Sequence, residues 1–299
     1  MPRLFVAARD GLRPFDDRGR PGEILHAGRS VTAVAPARCE LWAVLDGSQI
    51  WYEDGTQWRH VADLDRFRAT CLASIDEDVF VGSSEARLFR IAGDTLEPVP
   101  AFDGAEGRST WHTPWGGPPD TRSIANWDDD IYVNVHVGGI LRSSDRGATW
   151  TPTIDVDADV HQVTTADGLV LAACAGGLAA STDRGTTWSF RTEGLEARYS
   201  RAVAVCGEAV LVSSSNGPRG GRSAVYRADR TGGTFERCLA GPGWFEDNID
   251  SYCLDALPDG TFAAFGTSDG RVYASTDAGS SWDERASGLP PVQRVLVMP

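Results

Sequence analysis

The chain has 299 residues, 28 Lys plus Arg against 42 Asp plus Glu, and a formal net charge of −14. That balance excludes a broad nucleic-acid footprint, while 41% hydrophobic residues suffice for a sizeable core. Length alone suggests two domains, but repeats override that inference and are sought first.

In chain order, the opening "RLFVAARDGLRPFDDRGRPGEILHAG" (residues 3–28) reads as the last three strands of a four-stranded unit, with Asp17 and Gly19 in its final turn. The N-terminus has neither a long apolar core nor a small-residue cleavage site, so no signal peptide is expected. Short apolar runs then follow, such as "VFVG", "IYVNV", "AVAVC" and "AVLVSS", separated by Asp-Gly, Gly-Gly or Asn-Gly. No window carries a helical period. The most apolar stretch, 169–180, is too short and too broken by glycine to span a bilayer, so no membrane association is expected.

A motif punctuates these strands. "SSDRGATW" ends at Trp150, "STDRGTTW" at Trp188 and "STDAGSSW" at Trp282. Trp150 and Trp188 are 38 residues apart, and Trp188 and Trp282 are 94 apart, or twice 47. A degenerate copy, "WYEDGTQW", ends at Trp58, and "RADRTGGTF" at Phe235. "RIAGDTLEPV" weakly fills the slot near position 104. A period of about 40 to 50 residues with four short strands per unit is a propeller blade. "PVQRVLVMP" reads as a first strand with no blade after it. The expected fold is therefore all-β: one seven-bladed β-propeller domain over 1–299, with its last blade shared by 1–28 and 289–299.

The motif explains itself as a tight turn between third and fourth strands. Asp145, Asp183 and Asp277 accept from backbone N–H groups, Gly147, Gly185 and Gly279 take positive φ, and Trp150, Trp188 and Trp282 wedge between blades. It is a fold staple rather than a catalytic site.

S-x-D-x-G-x-[ST]-W is the Asp-box, or bacterial neuraminidase repeat. The chain resembles the bacterial Asp-box (BNR-repeat) proteins described as sialidase-like or glycosyl-hydrolase-like β-propellers. The resemblance speaks for fold more than for function, because the box also occurs in glucanases, sortilin-type receptors and a photosystem assembly factor. It implies that first strands line a central channel, and that function sits where first strands start and second strands end.

Reading those positions gives Arg122, His161, Arg201, Tyr252 and Arg294 at first-strand starts, with Arg68 and Arg29 in looser register. His136 falls at a second-strand end. Tyr199 and Asp250 stand just before first strands. Converging guanidinium groups suit a carboxylate, sulfate or phosphate; the competing reading pairs each Arg with an Asp or Glu of the next blade. The long loop 103–120 carries Trp111, His112 and Trp115, which either stack on a ligand or fasten the loop. The expected function is a hydrolase or lyase, glycosidase-like, acting on a small polar or anionic substrate. Catalysis is assigned to His161, His136, Tyr199, Tyr252 and Asp250. Binding is assigned to Arg122, Arg201, Arg294, Arg68, Trp111, Trp115 and His112. No cofactor is expected; the alternative is a metalloenzyme holding a transition metal such as zinc on His112, His136 and His161. A second alternative is a non-catalytic binding or assembly propeller. In the sialidase analogy, Arg122, Arg201 and Arg294 imitate the arginine triad, Tyr199 or Tyr252 the nucleophile, and Asp155 to Asp159 the acid. The Arg-Ile-Pro motif of sialidases is missing. The six cysteines, including Cys39, show no C-x-x-C spacing and read as buried thiols of a cytoplasmic protein.

Overall fold

The computed structural model describes residues 3–16, 19–37, 40–239, 241 and 243–299. Asp17 and Cys39, singled out above, lie outside them. The fold is a seven-bladed β-propeller. Helix is confined to α1 (Pro100–Asp103) and three short 3-10 turns among the described residues.

In chain order, β1 (Arg3–Ala8) and β2 (Gly11–Phe15) precede the first complete sheet, β3 (Val31–Ala37), β4 (Glu40–Leu45), β5 (Gln49–Glu53) and β6 (Trp58–Asp63). The next is β7 (Ala69–Ile75), β8 (Asp78–Ser83), β9 (Arg87–Ala92) and β10 (Thr95–Pro98). Then come β11 (Thr121–Trp127), β12 (Asp130–Val135), β13 (Gly139–Ser143) and β14 (Thr151–Pro152). The fourth sheet is β15 (Val160–Ala166), β16 (Leu169–Cys174), β17 (Gly177–Ser181) and β18 (Ser189–Arg191). The fifth is β19 (Tyr199–Cys206), β20 (Ala209–Ser215), β21 (Ala224–Asp229) and β22 (Gly232–Arg237). The sixth is β23 (Leu254–Ala256), β24 (Ala263–Gly266), β25 (Val272–Ser275) and β26 (Asp283–Ala286). Last, β27 (Val292–Met298) pairs with β1 in the sheet β2–β1–β27. Each four-stranded sheet is an up-and-down meander, as the turn-punctuated apolar runs require.

The seventh sheet is made by both ends of the chain, as its strand inventory implied. One detail differs. The expected outer strand survives only as bridges, Leu12 to Leu25 and Phe15 to Pro21, because the segment carries Pro21 and Gly22 where a ladder needs regular donors.

Two compact units can be distinguished: one of 1–31, 171–180 and 189–299, the other of 32–170 and 181–188. The first has a core around Phe265, Tyr273, Trp282 and Val295. The second has one around Trp42, Val44, Leu72 and Val81.

The three full motifs make the same hydrogen bonds. In each, the Ser Oγ accepts from the Gly N–H: Ser143 from Gly147 at 2.8 Å, Ser181 from Gly185 at 2.8 Å and Ser275 from Gly279 at 2.9 Å. Each Asp Oδ1 accepts at 2.8 Å from the backbone N–H four residues on, in Thr149, Thr187 and Ser281. The residue before each Gly also has positive φ (Arg146 55°, Arg184 61°, Ala278 55°), followed by the Gly at 87°, 85° and 82°. Two successive left-handed residues form the turn whose twist matches a hairpin, and only glycine adopts the second at no cost. Trp150 and Trp282 are buried, whereas Trp188 is half-buried.

A latch not visible in the motif itself completes each staple. In the second unit, Arg90 of β9 donates from Nη2 to Arg146 O at 2.5 Å. There also, the buried Asp130 accepts from Arg142 of β13 at 2.9 Å and from Arg184 of the next turn at 2.9 Å. In the first unit, Arg227 of β21 donates from Nε to Ala278 O at 2.9 Å. Third-strand arginines thus tie two of these blades directly to the following turn, and in the other the tie runs through Asp130, which Arg142 and Arg184 share.

Candidate functional site

The site of interest lies within the second unit, where β12 ends and β15 begins. β12 is buried along its whole length and delivers His136 immediately after its last residue. The His136 N–H donates to Asp120 O at 3.0 Å, which fixes the strand end. His161 is the second residue of β15 and is wholly buried. A polar network sets the two strands against each other. Asn134 of β12 donates to Val160 O at 2.9 Å, and Ser123 of β11 donates to Asn134 Oδ1 at 3.1 Å while accepting from Val163 N at 2.9 Å. These buried groups are satisfied, so they specify register rather than strain it.

Asp159 is brought to the two histidines by a local device. A 3-10 turn over Val156–Ala158 is capped by Asp155 and ends on Asp159 at φ 47°. Aspartate tolerates that left-handed conformation better than most residues. Asp159 Oδ1 lies 3.2 Å from His136 Nε2, and Oδ2 lies 3.7 Å from His161 Nε2. The imidazole centroids are 5.9 Å apart. One donor atom from each of the three residues lies within 4.8 Å of the others, the only such group of three among the described residues. The Oδ1 approach lacks hydrogen-bond alignment, and that buried oxygen has no hydrogen-bond partner among the described residues. Burial pushes the Asp159 carboxyl up, but His136, His161 and Arg122 outweigh it and hold it below the usual carboxylate range.

Arg122, whose charge helps to lower Asp159, sits at a bulge. Thr121 pairs with Val135 and Ser123 with Asn134, so Arg122 is the extra residue of β11. Such bulges re-aim a side chain. Similar interruptions occur near Thr70 in β7, near Arg201 in β19 and near Gln293 in β27.

Trp115 stands beside the trio, its ring 5.4 Å from that of His136 and its surface 73% exposed. It sits at the tip of a turn in which Thr113 Oγ1 donates to Gly116 O at 2.7 Å. Gly116 and Gly117 have φ of 87° and 91°, which the turn requires.

Other sequence candidates behave differently. Trp111 is buried against Phe102 of α1, with the Arg108 guanidinium 5.1 Å above its ring, so it anchors the loop and offers no face to a ligand. His112 is exposed, its Nδ1 2.8 Å from Thr110 O, and it is not part of the trio; Asp159 stands in the place expected of it. Arg68 pairs with Asp120 at 2.7 Å. In the first unit, Arg201 pairs with Asp250 at 2.7 Å and lies over Tyr199 at 5.3 Å. Arg294 lies over Tyr252 at 5.3 Å and donates to Ser251 O and Gln293 O. For Arg68 and Arg201 the partner-aspartate reading is the one observed. Asp159 was named in the sequence only as one of three nearby acids; the sole local signal was its place two residues before His161.

Two shallow grooves flank the repeated turns, one beside Arg142 and Arg184, the other beside Arg90 and Arg146; neither includes a residue of the trio.

No protein-family profile matches the sequence, and no curated protein sequence matches it. Solved β-propeller structures are similar in fold. YCF48 from Cyanidioschyzon merolae has a TM-score of 0.59 at 14% identity, over 85% of this chain and 84% of that one. BamB from Moraxella catarrhalis has 0.57 at 16%, over 96% and 83%. An ancestral GH74 enzyme has 0.65 at 14%, over 90% of this chain but only 38% of its own. At such identities the likeness concerns fold alone.

Proposed function

We propose that this propeller is an enzyme of hydrolase or lyase type. Its substrate is a small polar, anionic molecule held by Arg122 and Trp115 and worked on by His136, Asp159 and His161. The observation that carries the reading is the convergence of two imidazoles and a carboxylate within 4.8 Å, two of the three residues being buried. A blade wall needs no ionisable groups there: well-packed apolar side chains of similar volume would be as stable or more so. An exposed indole beside them offers a stacking face, and a guanidinium whose charge reaches Asp159 offers a partner for an anion. The repeated turns support placing the scaffold with sialidase-like Asp-box propellers, and a GH74 enzyme shares its fold. The departures from the sialidase constellation, with Arg201 and Arg294 engaged by neighbours in the first unit, speak against sialic-acid hydrolysis itself. Buried free thiols accord with a reducing compartment such as the cytoplasm.

The test is thermal-shift and calorimetric screening of carboxylates, phosphates, sulfates and sugar acids, followed by turnover assays on whatever binds. Arg122→Ala should abolish the response while leaving the unliganded melting temperature nearly unchanged. An identical response in Arg122→Ala and wild type would refute the site. Binding without any turnover would assign the protein to the non-catalytic propellers.

A further inference from the structure

We infer that His136, Asp159 and His161 form a binding site for one divalent transition-metal ion, zinc being one ion that the donor set suits. The inference deepens the functional reading above and rests on it for the identity of the site. Three observations support it.

The first is the donor set. Two imidazoles and one carboxylate are one of the three-ligand sets that catalytic zinc sites use, with a fourth position left for water or substrate, and the same set holds non-haem iron(II). Alkaline-earth ions prefer all-oxygen shells and are poorly served here. The six cysteines have no zinc-ligand spacing to compete for the ion.

The second is spacing. Ligands about 2.0–2.1 Å from a tetrahedral ion lie roughly 3.4 Å from one another. His136 Nε2 lies 3.2 Å from Asp159 Oδ1, close to that value, and His161 Nε2 lies 3.7 Å from the other carboxylate oxygen, Oδ2. The third pair falls within 4.8 Å, so shifts of about an ångström complete the shell. Asp159 Oδ1 meets no aligned donor among the described residues, although His136 Nε2 lies 3.2 Å away, so its lone pairs are open to a shared ion.

The third is support. The strand ends carrying both histidines are tied by Ser123 and Asn134, and Asp159 is set by the Asp155-capped turn. Ligands held this way lose little entropy on binding. An ion here would keep a position open for water or an anionic oxygen, in the neighbourhood of the exposed Trp115 ring beside His136.

The experiment uses the 299-residue chain, stripped with chelator and dialysed against zinc-free buffer with no small anionic ligand present. Zinc is titrated calorimetrically, bound metal is counted after gel filtration, and cobalt(II) serves as a spectroscopic probe of histidine and carboxylate ligation. Wild type and His112→Ala should each take up about one equivalent. Loss of an outer partner weakens metal sites by about 10–100-fold, so His161→Ala and Asp159→Asn, each losing a ligand, should weaken binding at least about 100-fold. Circular dichroism of each variant checks that it is folded, and cobalt absorption of wild type needs no variant at all. Fewer than about 0.2 equivalents in wild type, against the one-site stoichiometry of a ligated centre, overturns the inference. So does uptake that survives Asp159→Asn and His161→Ala together. Because zinc is titrated without an anionic ligand, a negative outcome removes the metal and leaves the Arg122 test of the substrate site standing on its own.

Discussion

Replacing Trp150 with alanine perturbs both the staple and, through one intermediate ring, the loop that carries Trp115. Trp150 is 7% exposed, its Nε1–H donates to Gly147 O at 3.1 Å, and the edge of Phe102 meets it at 5.2 Å. A buried tryptophan removes roughly 150–250 Å² from water, which at about 25 cal/mol per Å² gives about 4–6 kcal/mol. Measured Trp-to-Ala losses in cores are about 3–5 kcal/mol. We therefore expect about 4 kcal/mol for Trp150→Ala. Trp188 occupies the same motif position but is only half-buried, although its Nε1–H reaches both Thr153 O at 2.8 Å and Gly185 O at 3.1 Å. Scaling the area term and keeping about 1 kcal/mol for hydrogen bonding gives about 2–3 kcal/mol for Trp188→Ala. Urea unfolding followed by circular dichroism, with calorimetry to detect separate transitions, measures both. Equal losses, or a larger loss at Trp188, would refute the argument that burial rather than motif membership sets the energy. Hydrogen exchange in 103–120 should also quicken in Trp150→Ala, because Phe102 packs on Trp111 as well.

Two further outcomes are expected. Burial pushes Asp255 up to about 7, against the N–H bonds it accepts from Val297 at 2.7 Å and Ala256 at 2.9 Å. Between about 4 and 7 the folded state then holds a proton that the unfolded state has released. Its contribution is complete below about pH 4 and lost as pH rises through about 7. Asp183 and Asp277 have the opposite sign: N–H and hydroxyl donors of their turns lower them to about 2, so their contribution holds above about pH 4 and is lost as pH falls through about 2. Asp255→Asn should flatten the neutral limb of the stability–pH profile and Asp183→Asn the acid limb; unchanged slopes would contradict both assignments. Burial also pushes the thiols of Cys206 and Cys238 up to about 11 and that of Cys253 up to about 12. Mass mapping after alkylation at pH 8 should find these three unmodified in native protein and labelled after unfolding; prompt native labelling would show that the blades open.

The local chemistry of the chain determined its blades. Apolar runs of strand length, turn residues between them, and a turn motif that needs one aspartate, one glycine and one tryptophan act over eight residues or fewer, so they are legible without knowing what lies across space. The shared seventh blade was legible for a similar reason: a first strand left over at one end must pair with the strands left over at the other. The site was half legible. His136 and His161 could be placed because their strand positions follow from the blade period. Asp159 could not be singled out from Asp155 and Asp157, because its part depends on one left-handed backbone turn and on the Ser123–Asn134 bonds that bring β12 and β15 together. The fates of Trp111 and His112, and the pairing of Arg68 with Asp120 and Arg201 with Asp250, were likewise decided by packing. Each turns on which neighbour lies within a few ångströms, and only the folded chain specifies that distance.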